Sequence, residues 1–345
     1  MNNITIYDLA KITNLSPATV SKVLNNYKGV SKKAQEAVNN ACLEFNYIPN
    51  NAARTLSGAP SKLIGVAFSH VMGFSLDHPH FSQILQSFVE EVELLGYDVI
   101  LINEKSEDSD YLTHCLTRHV DGVLVAIPPS QYHMAKPLIN SSIPCVSIED
   151  IYDNIPNVLS DNYGGAKKAL SHLYSLGHRK IALMGTKLDN VAGTERHRAY
   201  LDFLRENNLE YNDKLVITNS DYTRESGLDA IDDLLAKCWD DTPTAIFCAY
   251  DEICFSCMQT LQQRGYKVPQ DISLVGFDDL RESRYSSPPL TTIAQNRIQL
   301  GKIAARTLVH NINTKNKEDY TLDVERIPTR LIVRNSTMKY EKKGD

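Results

Sequence analysis

The stretch SPATVSKVLN, Ser16–Asn25, reads as a short helix with its start written into it. The Ser16 hydroxyl can accept one of the amide N–H groups that a first turn leaves without a partner. Pro17 then stands at the first helical position, where its missing N–H costs nothing and its fixed φ suits the helix. Val20, Val23 and Leu24 fall on one face at i, i+3, i+4 spacing. Pro17, Ala18, Ser21, Lys22 and Asn25 lie largely off that face. A helix this short is not stable alone, so it has to pack on neighbours and offer its outer side to a partner.

The neighbours stand on either side. Upstream, TIYDLAKIT opens with Thr5 as N-cap and Asp8 three residues on, a capping-box-like pair, followed by Ile6, Leu9, Ala10 and Thr13 at helical spacing. Asn14–Leu15 leaves room only for a tight turn, so the two helices make a helix-turn-helix. A third helix is expected after the Ser31 cap, with Ala34, Val38, Ala41 and Phe45 turned inward. A generic three-helix bundle without a ligand has the same periodicity. Charge separates the two readings. Through Lys62 seven basic residues face three acidic ones, a net +4, while the whole chain carries −6, so the remainder carries −10. A cationic head on an acidic body is what a phosphate-binding module attached to a sensor should show.

TIYDLAKITNLSPATVSKVLN, with VSKKAQEAV, FNYIPN and AARTLSG after it, resembles the head of the LacI/GalR family of bacterial transcription regulators. The resemblance implies that Ser16–Asn25 is the recognition helix in the DNA major groove. Pro17, Ala18 and Lys22 would then read bases, and Thr5, Tyr7, Thr19, Ser21 and Asn25 would touch phosphates. Lys can donate to guanine O6 or N7, while Pro and Ala offer only apolar contacts such as a thymine methyl. The family usually has Arg at position 22, and Lys lacks the two-pronged fork, which predicts weaker base discrimination there. Lys22 as a plain phosphate contact is the alternative. Residues 49–61 correspond to the family's hinge helix and linker, with Ala53 and Arg54 beside Leu56, the minor-groove wedge. Without the resemblance, Leu56 reads as a residue docking on the next domain.

From Lys62 onward short apolar runs alternate with helical stretches. LIGVAFS, DVILI, GVLVAI and PCVSI form one series, and KIALMG, KLVIT, TAIFCA and ISLVGF form a second. Strands apolar throughout, with crossover helices, mean parallel doubly wound sheets, here in two similar lobes. A cleft between such lobes is the default ligand site. The chain of 345 residues, 42% hydrophobic, has ample core for this. Its start does not read as a signal peptide and no apolar run reaches membrane length. Seven scattered cysteines suit a reducing cytoplasm, and Cys254-x-x-Cys257, one helical turn apart among apolar residues, reads as buried filler. His78-x-His80 has no further ligand at zinc spacing and reads as a solvated loop. A hydrolase elbow, a phosphate loop and a dinucleotide fingerprint are all missing where strand meets helix, so no enzyme, cofactor or metal is expected.

The resemblance runs on through DNYGGAKKAL, LYSLGHRKIALM, RHRAYLDFL, PTAIFCAYDE, VPQDISLVGFDD and PPLTTIAQN, and implies a periplasmic-binding-protein-like body crossed three times by the chain. The crossings are expected near Asp161, Thr291 and Asp323. This sets a first lobe at 62–161 with 292–322, a second at 162–291 with 323–338, and a tail at 339–345. Family effector positions map onto His80, Phe81, Asp150, Asp161, Asn190, Arg196, Tyr222, Tyr250, Asp251 and Asp278. Arg196 and Asp278 can each make two parallel hydrogen bonds to vicinal hydroxyls, and Phe81 and Tyr222 could cover a ring face. A structural Arg196–Asp278 ion pair is the alternative. Tyr250 stands where many relatives carry Asn. The resemblance thus implies a cytoplasmic, homodimeric repressor of carbohydrate-utilisation genes on a palindromic operator, controlled by a sugar-like effector. Rival readings are a catabolite regulator with a phosphocarrier protein as co-regulator and a sugar-binding protein with a vestigial head. The tail carries no leucine heptad, so tetramers are not expected.

Overall fold

The computed structural model describes residues 4–24, 29–47, 60–69, 76, 78–102, 110–220, 224–238, 242–314 and 316–341. The chain divides into an N-terminal unit, Met1–Ser61, and a body, Lys62–Asp345. Asn25, the hinge residues Ala53, Arg54 and Leu56, and Tyr222 lie outside the described residues.

In the N-terminal unit, α1 (Ile6–Thr13) opens on a true capping box. Thr5 Oγ1 accepts the Asp8 N–H at 3.3 Å and the Asp8 carboxylate accepts the Thr5 N–H at 2.9 Å. Asn14 closes the helix with φ 54°, a left-handed conformation that Asn tolerates. The turn leads at once into α2 (Pro17–Leu24), where Ser16 Oγ accepts the Thr19 N–H at 3.0 Å. Ser31 caps α3 (Lys32–Glu44) by accepting from Ala34. Leu9, Ala10, Val20, Val23, Val38 and Ala41 form one buried cluster. Phe45 departs from expectation: it is the C-cap, already out of helical geometry, and 38% exposed, while Tyr47 packs against the cluster.

The body holds two six-stranded sheets. The first lobe contributes β1 (Leu63–Phe68), β2 (Asp98–Ile102), β3 (Gly122–Ala126), β4 (Cys145–Ile148) and β5 (Asn157–Ser160), with helices α4 (Pro79–Leu94), α5 (Tyr111–Thr117) and α6 (Tyr132–Ile139). The second contributes β6 (Ile181–Thr186), β7 (Val216–Ser220), β8 (Ala245–Cys248), β9 (Ser273–Asp278) and β10 (Thr291–Ala294). Its helices are α7 (Asn162–Ser175), α8 (Val191–Glu206), α9 (Arg224–Lys237) and α10 (Asp251–Gln263). After β10 the chain returns to the first lobe as α11 (Arg297–Asn313) and β11 (Val324–Ile327), then ends in the second as β12 (Arg330–Ile332). The strand orders are β11-β5-β4-β3-β1-β2 and β12-β10-β9-β8-β6-β7. All pairings are parallel except β10 with β12. Apolar clusters cover both faces of each sheet, which is why the strand runs carry no alternation. Cys254 and Cys257 are fully buried in one of them, as expected of filler.

Two of the three expected crossings move. β10 pairs with β9 over Thr291–Ala294, so the second crossing follows Ala294 and is not at Thr291. β11 pairs with β5 over Val324–Ile327, which places the third between Ile327 and Arg330 and not at Asp323. The reason is local: in VERI only Ile327 is buried, so hydrophobicity does not mark the strand, and backbone pairing to β5 makes it one.

Candidate functional site

All three crossings, and the loops leaving β4, β8 and β9, gather at the C-terminal ends of the strands. Arg196 sits there on α8, whose first turn is fixed by Asn190 Oδ1 accepting the Gly193 N–H at 2.8 Å. Its side chain is 1% exposed. The Nε and Nη2 atoms both donate to Asn162 Oδ1, at 3.0 and 2.7 Å, and Nη1 donates to the Ala249 carbonyl at 2.5 Å. The guanidinium lies over the Phe277 ring at 3.6 Å and the Tyr250 ring at 4.4 Å. A buried cation needs a countercharge. Glu149 supplies one from the first lobe. Burial pushes its carboxyl up, but the contact with His80, the charge of Arg196 and the Ser160 N–H outweigh that and hold it below the usual range.

Asp278 ends β9 with φ 128° and Asp279 follows with φ 52°, consecutive left-handed residues without a glycine. Such positions cost on the order of 1–3 kcal/mol each and persist where the surroundings over-determine them. Here Gln295 donates to Asp278 Oδ1, Arg297 Nη2 to the Asp278 carbonyl and Arg334 Nη2 to Asp279 Oδ1. Arg297 also donates from Nε to His80 Nδ1 at 3.1 Å, which leaves the His80 proton on Nε2, 3.5 Å from Glu149 Oε2. Arg297 thus ties the exit of β9 in the second lobe to α4 in the first.

His78 caps α4 beside His80, their rings edge to face at 6.3 Å. Burial, opposed by Asp278, lowers the His78 pKa to about 4. The expected solvated loop at His78-x-His80 is therefore corrected: His80 is buried and His78 half-buried where the lobes meet. Asp150 is 1% exposed, and burial raises its carboxyl to about 7 against the Ile151 and Val191 N–H groups. Among the described residues, the buried side-chain polar atoms without a hydrogen-bond partner include His78 Nδ1, Asp150 Oδ2, Asn162 Nδ2 and Gln295 Oε1, while His80 Nε2 meets only the Glu149 carboxylate, at 3.5 Å. Every one belongs to this cluster, and both lobes contribute. Each such atom costs about 1–3 kcal/mol unless something meets it. A polar ligand would.

Other expected residues serve the frame. Asp251 is fully buried, and its carboxylate accepts from Leu280 N–H at 2.9 Å, Ser283 Oγ at 2.6 Å and Thr292 Oγ1 at 2.6 Å. Those bonds are internal to the second lobe and replace the expected effector contact. Phe81 is 2% exposed, packed with Ile64, Ile84 and Phe88 in the first core, which corrects its expected place over a ligand ring. Asp161 caps α7 by accepting the Gly164 N–H at 2.9 Å, and Tyr250 is spent on Arg196. No ion pair joins Arg196 to Asp278, which removes the structural alternative for that pair. Glu149, Asn162, Gln295 and Arg297 were not legible as site residues. Asn162 and Gln295 do stand inside the motifs DNYGGAKKAL and PPLTTIAQN.

On the N-terminal unit, Pro17, Ala18 and Lys22 are exposed together on α2, with Thr5, Tyr7 and Ser16 exposed and Thr19 and Ser21 half-buried. This leaves a polar face clear of the core.

The family model described as bacterial regulatory proteins, lacI family, matches residues 5–50, and that described as periplasmic binding protein-like domain matches 170–337. The HTH-type transcriptional repressor PurR of Mannheimia succiniciproducens is 30% identical over 343 residues, 97% of this chain and 99% of the relative. Its namesake in Haemophilus influenzae (strain PittEE) is 30% identical over 340 residues, 96% of this chain and 98% of the relative. Among solved structures, the Lac repressor dimer bound to operator and the anti-inducer ONPF is 28% identical with TM-score 0.81, over 98% of this chain and 100% of that one. The transcriptional regulator CelR–cellobiose complex is 27% identical with TM-score 0.72, over 96% and 99%. With a helix-turn-helix head, two parallel-sheet lobes and relatives matched end to end, the chain belongs to the LacI family of bacterial regulatory proteins, the DNA-binding transcription repressors.

Proposed function

We propose that this repressor works as a homodimer on a palindromic operator and is controlled by a small, neutral, polyhydroxylated effector, a sugar, held between its lobes. The observation that carries the reading is the convergence of unpartnered buried polar atoms from both lobes around Arg196 and Asp278. They offer donors and acceptors in nearly equal measure, as hydroxyl groups require. The CelR relative was solved with cellobiose. An effector that bridges the two lobes binds one arrangement of them better than another, and that differential affinity is what can shift DNA binding.

A purine base is the second reading, favoured by the name of the full-length PurR relatives. Against it, the aromatic faces near the site are taken. Phe277 carries Arg196 on one side and abuts Gly165, and Tyr250 also carries Arg196. A planar base would have to displace Arg196 to stack on the faces of these two rings that the guanidinium covers.

Thermal-shift and calorimetric titration with glucose, galactose, ribose, cellobiose, hypoxanthine and guanine decides between them, followed by gel shift on an operator selected from random duplexes. A carbohydrate is expected to raise the melting temperature and to change operator affinity by about 5–150-fold, the usual range of such coupling. Arg196→Lys and Asp278→Asn are expected to abolish that response with DNA binding intact. A response to a purine alone overturns the sugar reading, and an unaltered response in both variants overturns the site.

A further inference from the structure

We infer that Asn162 is a specificity-determining residue of the cleft: its carbonyl oxygen sets the Arg196 guanidinium while its amide NH2 reads an oxygen of the effector. The inference rests on the cleft reading above and names a residue and a contact within it.

The geometry leaves the amide no choice of orientation. Arg offers only donors, so the atom that accepts both its Nε–H and its Nη2–H has to be Asn162 Oδ1, and the NH2 group has to face the other way. That second end is buried, on a residue with no exposed surface, and meets no acceptor. Asn162 is the first residue of α7, directly after the first crossing, so its side chain is fixed by the backbone that joins the lobes. Arg196 is held from three sides: by Asn162, by the Ala249 carbonyl, and between the Phe277 and Tyr250 rings. Three of its five N–H groups are spent on those bonds. The Asn162 NH2 is thus a buried donor held in place by the bond that its own carbonyl makes to Arg196. A donor of this kind fits an acceptor oxygen of the ligand, such as a ring or hydroxyl oxygen. It rejects a ligand that presents a donor or a methylene there, because a buried donor is then left unpaired.

The test uses the full chain with two variants and paired ligands. Asn162→Asp keeps the acceptor for Arg196 and removes the donor; Asn162→Leu removes both. Binding is measured calorimetrically for glucose, galactose, ribose and cellobiose and for the monodeoxy analogues of whichever binds. Melting temperature and far-UV circular dichroism confirm that each variant is folded. The expected result is a tenfold or greater loss of affinity in Asn162→Asp, a larger loss in Asn162→Leu, and one deoxy analogue for which wild type and Asn162→Asp bind equally. Affinity within twofold of wild type in Asn162→Asp, with loss only in Asn162→Leu, overturns the contact and leaves Asn162 as support for Arg196 alone. An equal penalty for every deoxy analogue overturns it as well. Failure of the underlying reading is distinct: either no ligand in the panel binds wild type, or Arg196→Lys binds as wild type does, and in both cases this inference falls with it.

Discussion

Arg326 on β11 forms a two-pronged ion pair with Glu195 on α8, Nη1 to Oε2 at 2.8 Å and Nη2 to Oε1 at 2.6 Å. The pair joins the first lobe's edge strand to a helix of the second lobe, beside the third crossing and one residue before Arg196. Glu195 is 10% exposed and Arg326 39%, so the bridge stands between a solvated pair, worth under about 1 kcal/mol, and a buried one, whose breaking costs about 3–5 kcal/mol. Arg326→Met is expected to lower stability by about 1–2 kcal/mol in urea at unchanged m-value. It should also alter effector affinity, since the bond spans the joint between the lobes. A change under about 0.3 kcal/mol would show that solvent already loosens the pair.

His78 and Asp150 give the body opposite pH responses. The native state holds His78 neutral down to about pH 4, from an ordinary value of 6.5. The unfolded chain therefore takes up the proton first, and stability is complete above the ordinary value and drains away as pH falls toward about 4. His78→Gln is expected to flatten that acid limb, worth at most about 3 kcal/mol at 1.36 kcal/mol per pH unit. Thermal melts in steps between pH 7 and pH 4 measure it.

For Asp150 the sign reverses. Its native carboxyl is raised from 3.8 to about 7, so the folded state binds the proton more tightly than the unfolded one. That contribution is fully present below the ordinary value and is lost as pH rises through about 7. Asp150→Asn is expected to be more stable than wild type at pH 8, by up to about 4 kcal/mol, and to lose the advantage below pH 4. Equal melting curves at both pH values would place the Asp150 carboxylate in contact with water.

Much of the fold was legible because its signals are local. The Thr5–Asp8 box, the Ser16–Pro17 start and the eight apolar runs lie in windows of a few residues, where cap chemistry and hydrophobic period act directly. The crossings were not so readable. β11 is a strand only because β5 offers it a ladder, and nothing in the exposed Val324–Arg326 announces that. The site shows the same division. Arg196 and Asp278 stood out by chemical type and by resemblance, whereas Asn162, Gln295 and Arg297 matter through partners 17–217 positions away. His80 and Asp150 could be named, but burial decides their protonation, and burial is a property of the assembled lobes.

Gly301 tests the packing that returns the chain to the first lobe. It lies in the interior of α11, where glycine is a poor helix former and alanine is better by about 1 kcal/mol. A Cβ there would stand 2.5 Å from the Ile84 carbonyl oxygen and 2.6 Å from the Phe88 nitrogen, both backbone atoms of α4. Backbone cannot swing aside, so α11 would have to lift off α4. Gly301→Ala is expected to destabilise by about 1–3 kcal/mol despite its better propensity. Stabilisation in a urea titration would mean that the two helices are not held this close in solution.

Lys22 can be separated from a phosphate contact by what it does to discrimination rather than to affinity. It is exposed on α2 beside Pro17 and Ala18, on the side away from Val20 and Val23. If its ammonium donates to a guanine edge, Lys22→Ala should cost about 1–3 kcal/mol on the selected operator and much less on random duplex, because only the operator offers that acceptor. If it touches phosphate, both duplexes should weaken alike and the slope of log K against log salt should fall by about one counterion. The first outcome is expected, since the neighbouring Pro17 and Ala18 are apolar and leave Lys22 as the donor among these three side chains. Lys22→Arg sharpens the comparison: a two-pronged guanidinium grips guanine O6 and N7 together, so it should raise the preference for guanine at that base pair. Gel shifts at two salt concentrations, on the operator and on variants at each base pair, measure both quantities. A uniform loss in Lys22→Ala with a shallower salt slope, and no gain in Lys22→Arg, would assign Lys22 to the backbone.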